Sequence, residues 1–187
     1  MPPAILAENE KTYGAYVYGA NAILLNKDAI LGDYNGIRLG AEESFEQRTV
    51  ERIASAKAEL EDIGTTKGRE AKDVQYRLDT LETMKRWSIS QDKDCTDPLA
   101  ATVMHEGFHA LQANNAQLNT ELVVRSSKIV MQPKDAATVS AYAAYSHNDR
   151  ELFAEAATGR ALGLDKDYSP KVNRWLNTVS KATGVKL

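Results

Sequence analysis

Thr96–Gln112, TDPLAATVMHEGFHALQ, holds both the best-marked helix start of the chain and two of its three histidines. Asp97 is a residue type that caps helix N-termini, and Pro98 suits the first helical position because its missing N–H would be unpaired there anyway. An apolar run then continues to Leu111, and Ala113–Ala116, ANNA, closes it. The pattern predicts a helix, and His105-Glu106-Gly107-Phe108-His109, an H-E-x-x-H word, lies inside it. Residues four apart share a helix face about 6 Å apart, so the two imidazoles can converge on one ion. Neutral imidazole nitrogens suit zinc at about 2.0–2.1 Å, and a catalytic zinc takes three protein ligands and leaves a fourth position for water. Glu106, at the edge of the same face, is placed to accept a proton from that water. The competing reading makes His105 and His109 ordinary hydrogen-bonded helix histidines. A third ligand separates the two.

Three residues are candidates for it: Glu151, Glu155 and His147. Glu151 and Glu155 lie four apart in ELFAEA, so one can be the ligand and the other can hold a histidine's free N–H from behind. Glu151 is the preferred ligand and Glu155 the preferred supporting carboxylate. Against Glu151 stands a capping box, Asn148-x-x-Glu151, in which the glutamate would reach back to a backbone N–H. His147 is the only other histidine, and no third histidine follows closely after His109.

The rest of the chain predicts an α+β class, mostly helical, as one domain over residues 1–187. Residues 1–40 read as a small β region, carrying four of the eight tyrosines, with AYVYGANAILLN (15–26) as the clearest strands and GDYNGIRLG (32–40) as a turn and a further short strand. Residues 41–88 read as an antiparallel helical hairpin broken at GTTKG, from the spacing of Phe45, Ile53, Leu60 and Ile63 and then of Val74, Leu78, Leu81 and Met84. Residues 97–187 carry the helices of the metal site. Within them ELVVRSSKIV (121–130) and DAATVSAYAAYS fit either regular state. Asn148 or Asp149 caps a helix that Gly159 would end, and a last helix begins at Ser169-Pro170 and ends at Gly184. Gly107 costs its helix about 1 kcal/mol relative to alanine, which points to close approach of another backbone.

Composition narrows the function classes. With 23 basic and 26 acidic residues spread along the chain and a net charge of −3, there is no basic stripe for nucleic acid and no polybasic segment for a membrane surface. No apolar run approaches the roughly 20 residues needed to span a bilayer, and the N-terminus lacks the pattern of a signal peptide. The single cysteine, Cys95, cannot form an internal disulfide and reads as a spectator. The expected location is the cytoplasm.

Taken together, MHEGFHALQ (104–112) and SAYAAYSHNDRELFAEA (140–156) resemble the gluzincin zinc metallopeptidases, in particular lethal-factor-like domains and related domains of bacteriophage head-associated proteins. Ser140, Tyr142, Ala143, Asn148, Glu151, Phe153, Ala154, Glu155 and Ala156 carry the second half of the resemblance. It implies a zincin-like fold, Zn2+ held by His105, His109 and Glu151, Glu106 as general base, and an upstream tyrosine, Tyr142 or Tyr145, stabilising the oxyanion. The implied reaction is hydrolysis of a peptide bond in a protein or peptide substrate, laid along an edge strand within AYVYGANAILLN. Two other readings stand beside it: a zincin-fold binding or structural module, for instance of a phage particle, and a partner-binding role for the helical hairpin.

Overall fold

The computed structural model describes residues 4–7, 14–26, 34–64, 68–120 and 132–187, and the reading of ELVVRSSKIV falls outside them. The fold is α+β and mostly helical, with a small N-terminal sheet. Three short strands, β1 (Ala4–Ala7), β2 (Gly14–Val17) and β3 (Ala22–Asn26), pair in the order β1-β3-β2. β1 runs parallel to β3, and β2 runs antiparallel to it with Tyr16 opposite Ile23. The turn between β2 and β3 closes with Ala20 N–H donating to Val17 O at 3.2 Å, and Asn21 takes the left-handed conformation there at φ 47°. Asn tolerates that region better than most residues.

The helical hairpin follows: α1 (Tyr34–Ile63) and α2 (Arg69–Thr83). α1 begins at Tyr34, before the expected start at residue 41, and takes in residues 34–40 of the GDYNGIRLG stretch, so the turn and short strand expected there are corrected to helix over the described residues. Gly36 and Gly40 lie inside a 30-residue helix, whose continuity outweighs their local preference. Ala56 packs on Val74 and Leu78, with Ile53, Leu60 and Ile63 beside them. The ion pairs Lys57–Glu82 and Arg77–Glu59 match in the antiparallel sense.

α3 (Pro98–Asn114) is the axis of the molecule, and Asp97 caps it as read, its carboxylate accepting from Ala100 N–H at 2.9 Å. One side meets the sheet, where Leu99, Val103 and Ala110 pack with Tyr16, Ile23 and Leu25. Its opposite side meets α6 (Asp149–Ala161), with Phe108 edge-on to Phe153. A helix covered on two sides must be apolar over most of its surface, which is why its sequence shows a run rather than a stripe. After α3, residues 116–120 are again helical, and among the described residues before α6 come the short helices α4 (Pro133–Ala137) and α5 (Ala141–Ser146). Pro133 is the first residue of α4. α7 (Pro170–Thr183) starts under a Ser169 cap and ends at Gly184, φ 70°, as its sequence indicates.

Gly159 does not end α6. The helix continues to Ala161, and Gly163, φ 73°, follows it. A Cβ at Gly159 would lie 2.8 Å from Ile89 Cδ1 and would overlap the Tyr168 hydroxyl, so this glycine is a packing residue. Gly107 is the reverse case: a Cβ there meets nothing within 4 Å, and the expected close backbone approach is absent among the described residues. That approach occurs at Gly14 instead, where a Cβ would sit 2.8 Å from Thr102 Cγ2 and 3.3 Å from Glu106 Cγ. Glycine lets β2 lie directly on α3.

Candidate metal centre

α3 presents His105 and His109 one turn apart toward α6, and α6 presents Glu151 and Glu155 one turn apart toward α3. Among the described residues, His105, His109 and Glu151 form a group that can hold a metal ion. His105 Nε2 and His109 Nε2 lie 3.1 Å apart. One oxygen of Glu151, Oε2, is 3.3 Å from the first and 3.2 Å from the second. A tetrahedral ion with ligands at about 2.0–2.1 Å spaces them about 3.3–3.4 Å from one another, so the three atoms fit one face of such a tetrahedron. The side chains of His105 and His109 are 12% and 9% exposed and that of Glu151 is 21% exposed, which leaves the site open on the glutamate side.

Glu151 therefore does not close a capping box. The side chain of Asn148 caps α6 unaided, accepting from Arg150 N–H at 2.9 Å. Glu155 stands behind His105, its Oε1 3.1 Å from Nδ1, while its Oε2 accepts from Ile89 N–H at 2.9 Å. A carboxylate on the far nitrogen fixes the imidazole's orientation and makes the metal-facing nitrogen more basic. His109 has no such support among the described residues, and its Nδ1 is buried without a partner.

Without a metal, the group is strongly polarised. Burial alone would lower the His105 pKa, but hydrogen bonds to Glu151 and Glu155 outweigh it and raise it to about 10. Burial pushes the Glu151 carboxyl up, and the hydrogen bonds from His105 and His109 overcome this and hold it well below the usual carboxylate range. The same negative field that keeps a proton on His105 suits a divalent cation in its place.

Glu106 is buried, and Tyr16 N–H on β2 donates to its Oε2 at 2.7 Å. That N–H points away from β3, so the edge of β2 that no strand among the described residues covers faces the base. Tyr142 on α5 lies on the other side, its ring centroid 6.3 Å from that of His105. Burial first, then the charges of Glu151 and Glu155, raise its hydroxyl above the normal phenol range, so it keeps its proton for donation. The backbone holds α5 in place: Tyr142 N–H donates to Trp87 O at 2.8 Å and Ala141 N–H to Arg86 O at 3.0 Å. The segment bearing these carbonyls is anchored by a buried pair, Arg86 Nη1 and Asp92 Oδ2 at 2.6 Å.

Two candidates fall elsewhere. Tyr145 is 40% exposed, and its hydroxyl accepts from Arg52 Nη1 on the hairpin at 3.0 Å. His147 is exposed in the left-handed conformation at the end of α5, φ 47°, and lines a different cavity. Tyr142, not Tyr145, stands at the centre, and Glu151, not His147, completes the group. Sequence reading missed the backbone donors of Tyr16 and Ile89, and also Gln91, which lines the same cavity as His105 and Glu106. Every residue but proline carries an N–H, so no letter could have marked the first two.

No protein-family model, curated protein or solved structure matches the chain. No helix among the described residues is long and apolar enough to cross a membrane.

Proposed function

We propose that the chain is a zinc-dependent metallopeptidase of the gluzincin type. The observation that carries this reading is the triangle of His105 Nε2, His109 Nε2 and Glu151 Oε2, 3.1–3.3 Å on each side, with Glu106 on the same helix. Two imidazoles and one carboxylate suit zinc, and the buried Glu155 behind His105 supports that ligand set.

Zinc, when bound, supplies Lewis acidity that acidifies water and polarises a carbonyl. The chain's own groups do the rest. Glu106, oriented by the Tyr16 N–H, takes the proton of the attacking water and delivers it to the leaving amine. Tyr142 donates its hydroxyl proton to the oxygen on which negative charge develops. A substrate backbone lies along the free edge of β2, adding a strand next to the base. Gly14 lets that strand rest within reach of Glu106.

Replacement of Glu106 by Gln tests the reading. Zinc content measured by elemental mass spectrometry is expected to stay near one ion per chain, while hydrolysis of a mixed peptide library falls by about 10²–10⁴-fold. A zinc-loaded parent that cleaves no peptide, or a Glu106→Gln variant as active as the parent, would sink the peptidase reading and leave a metal that only locks α3 to α6.

A further inference from the structure

We infer that the cavity between the hairpin and α5 is a second binding site, which takes an unbranched aliphatic carboxylate with its chain on the apolar floor and its carboxylate on Arg52. The inference stands apart from the metallopeptidase reading, since none of His105, His109 and Glu151 lines this cavity.

The volume, about 450 Å³, falls in the range of small-molecule sites. Its floor is Ala56 of α1, Leu81 of α2, Met84 at the end of α2 and Ala144 of α5, all buried. Tyr76 and Tyr145 stand at the rim, 41% and 40% exposed, and they are two of the four large hydrophobic side chains exposed among the described residues. An open apolar surface bordered by exposed aromatic rings marks a place where a ligand is bound.

The charges choose the head group. Arg52, Glu59 and Arg77 line the cavity, and the last two pair with each other. Arg52 is left as the net charge. It donates to the Tyr145 hydroxyl at 3.0 Å and lies 5.6 Å from the centre of that ring, and no carboxylate pairs with it among the described residues. A carboxylate accepts from a guanidinium about twice as strongly as a neutral hydroxyl does, and through two parallel bonds. An incoming carboxylate therefore takes Arg52 from Tyr145, whose exposed hydroxyl returns to water. His147, exposed at the same rim, carries no negative charge in either protonation state. A cationic head group would meet Arg52 and a carboxylate already held by Arg77.

The floor chooses the body. The Thr80 hydroxyl, which lines the same cavity, already donates to Tyr76 O at 2.8 Å, and the four floor side chains are apolar. A peptide backbone laid there would give up its hydrogen bonds to water and find none in return, whereas a methylene chain has none to lose. Leucine and methionine also adapt readily to a flexible chain.

The test titrates octanoate, octan-1-ol and octylammonium into the isotope-labelled full-length chain, with and without zinc, and follows the amide chemical shifts. Octanoate is expected to bind with a Kd of about 0.1–1 mM, equally in both forms, and to shift the amides around Arg52 and Ala144. Arg52→Gln is expected to weaken octanoate about tenfold and to leave octan-1-ol within about twofold. Tyr145→Phe, which removes the hydroxyl that competes for Arg52, is expected to hold octanoate at least as tightly as the parent. Ser55→Trp, at an exposed position of the lining, is expected to weaken octanoate and octan-1-ol alike. Arg48→Gln, an exposed arginine of α1 that does not line the cavity, is expected to change neither. All four positions are exposed, and the amide spectrum of each variant shows whether it is folded. Octanoate that binds no tighter than octylammonium, that needs zinc, or that shifts amides elsewhere overturns the inference. So does a loss in Arg48→Gln equal to that in Arg52→Gln, which would mean general attraction to positive charge, or a loss of that size in Tyr145→Phe, which would leave Arg52 bound to its tyrosine.

Discussion

The α1–α2 hairpin and the α3–α6 pair are both two-helix units, but they treat polar groups in opposite ways. The hairpin joins its helices through Ala56, Val74 and Leu78 and leaves its charges outside, where Lys57–Glu82 and Arg77–Glu59 are half exposed. The α3–α6 pair buries polar groups: Glu155 and His109, 3% and 7% exposed, lie between the helices, and Glu106, 7% exposed, lies between α3 and β2. Charged groups are left in a dry interior only where something compensates them. The cavities follow the same division. The larger, about 450 Å³, lies between the hairpin and α5 on a floor of Ala56, Leu81, Met84 and Ala144, and its Arg52 and Tyr145 are tied to each other. The smaller, about 250 Å³, is where the buried carboxylates of Glu106 and Glu155 meet His105. For the metal, size marks the wrong cavity, and converging buried polar atoms mark the right one.

The comparison breaks most sharply on metal binding. Glu151→Ala is expected to weaken zinc affinity by more than about 100-fold, since it removes a ligand whose loss should exceed that of a supporting group. His147→Ala, at the rim of the larger cavity, is expected to leave affinity within about twofold. Competition with a chelator of known strength reads both. Equal losses in the two variants, or zinc retained by Glu151→Ala, would break the assignment of the third ligand.

A second contrast lies between the two tyrosines of α5, three residues apart. Tyr142→Phe is expected to lower kcat by about 10²-fold with little change in KM, the pattern of a group that acts in the transition state. Tyr145→Phe, which loses only a hydroxyl bonded to Arg52 at the surface, is expected to keep both constants. The reverse result would move the oxyanion role to the hairpin side of α5.

These contrasts also show what the sequence made legible. Local signals survived translation into structure: Asp97 and Ser169 cap their helices, Gly184 ends one, and the apolar spacing of the hairpin becomes its interface. The H-E-x-x-H spacing was readable because one helix fixes it. Glu151 was readable as a candidate because it shares α6 with Glu155, although only packing could choose between a ligand and a capping box. Signals that depend on a distant partner were not readable. Gly159 looked like a helix stop because Ile89 and Tyr168, its actual neighbours, are remote in sequence. Tyr142 and Tyr145 were inseparable until the Trp87 carbonyl fixed the rotation of α5. Gln91 had no motif at all, since a cavity wall exists only once the chain has closed around it.

The smallest expected effect is on the hairpin's own charges, and it tests whether that region is as plain as its packing suggests. Lys57 and Glu82 lie 3.2 Å apart with side chains 56% and 47% exposed, so water competes for both and salt screens them. Lys57→Ala is therefore expected to cost less than about 1 kcal/mol in a urea melt and to leave the transition's slope unchanged. The loss should shrink further when salt is added, because the wild-type attraction is what salt weakens. A cost of several kcal/mol, indifferent to salt, would mean that the hairpin holds a desolvated charge after all. The division between a polar-buried core and a polar-exposed arm would then fail at its simplest point.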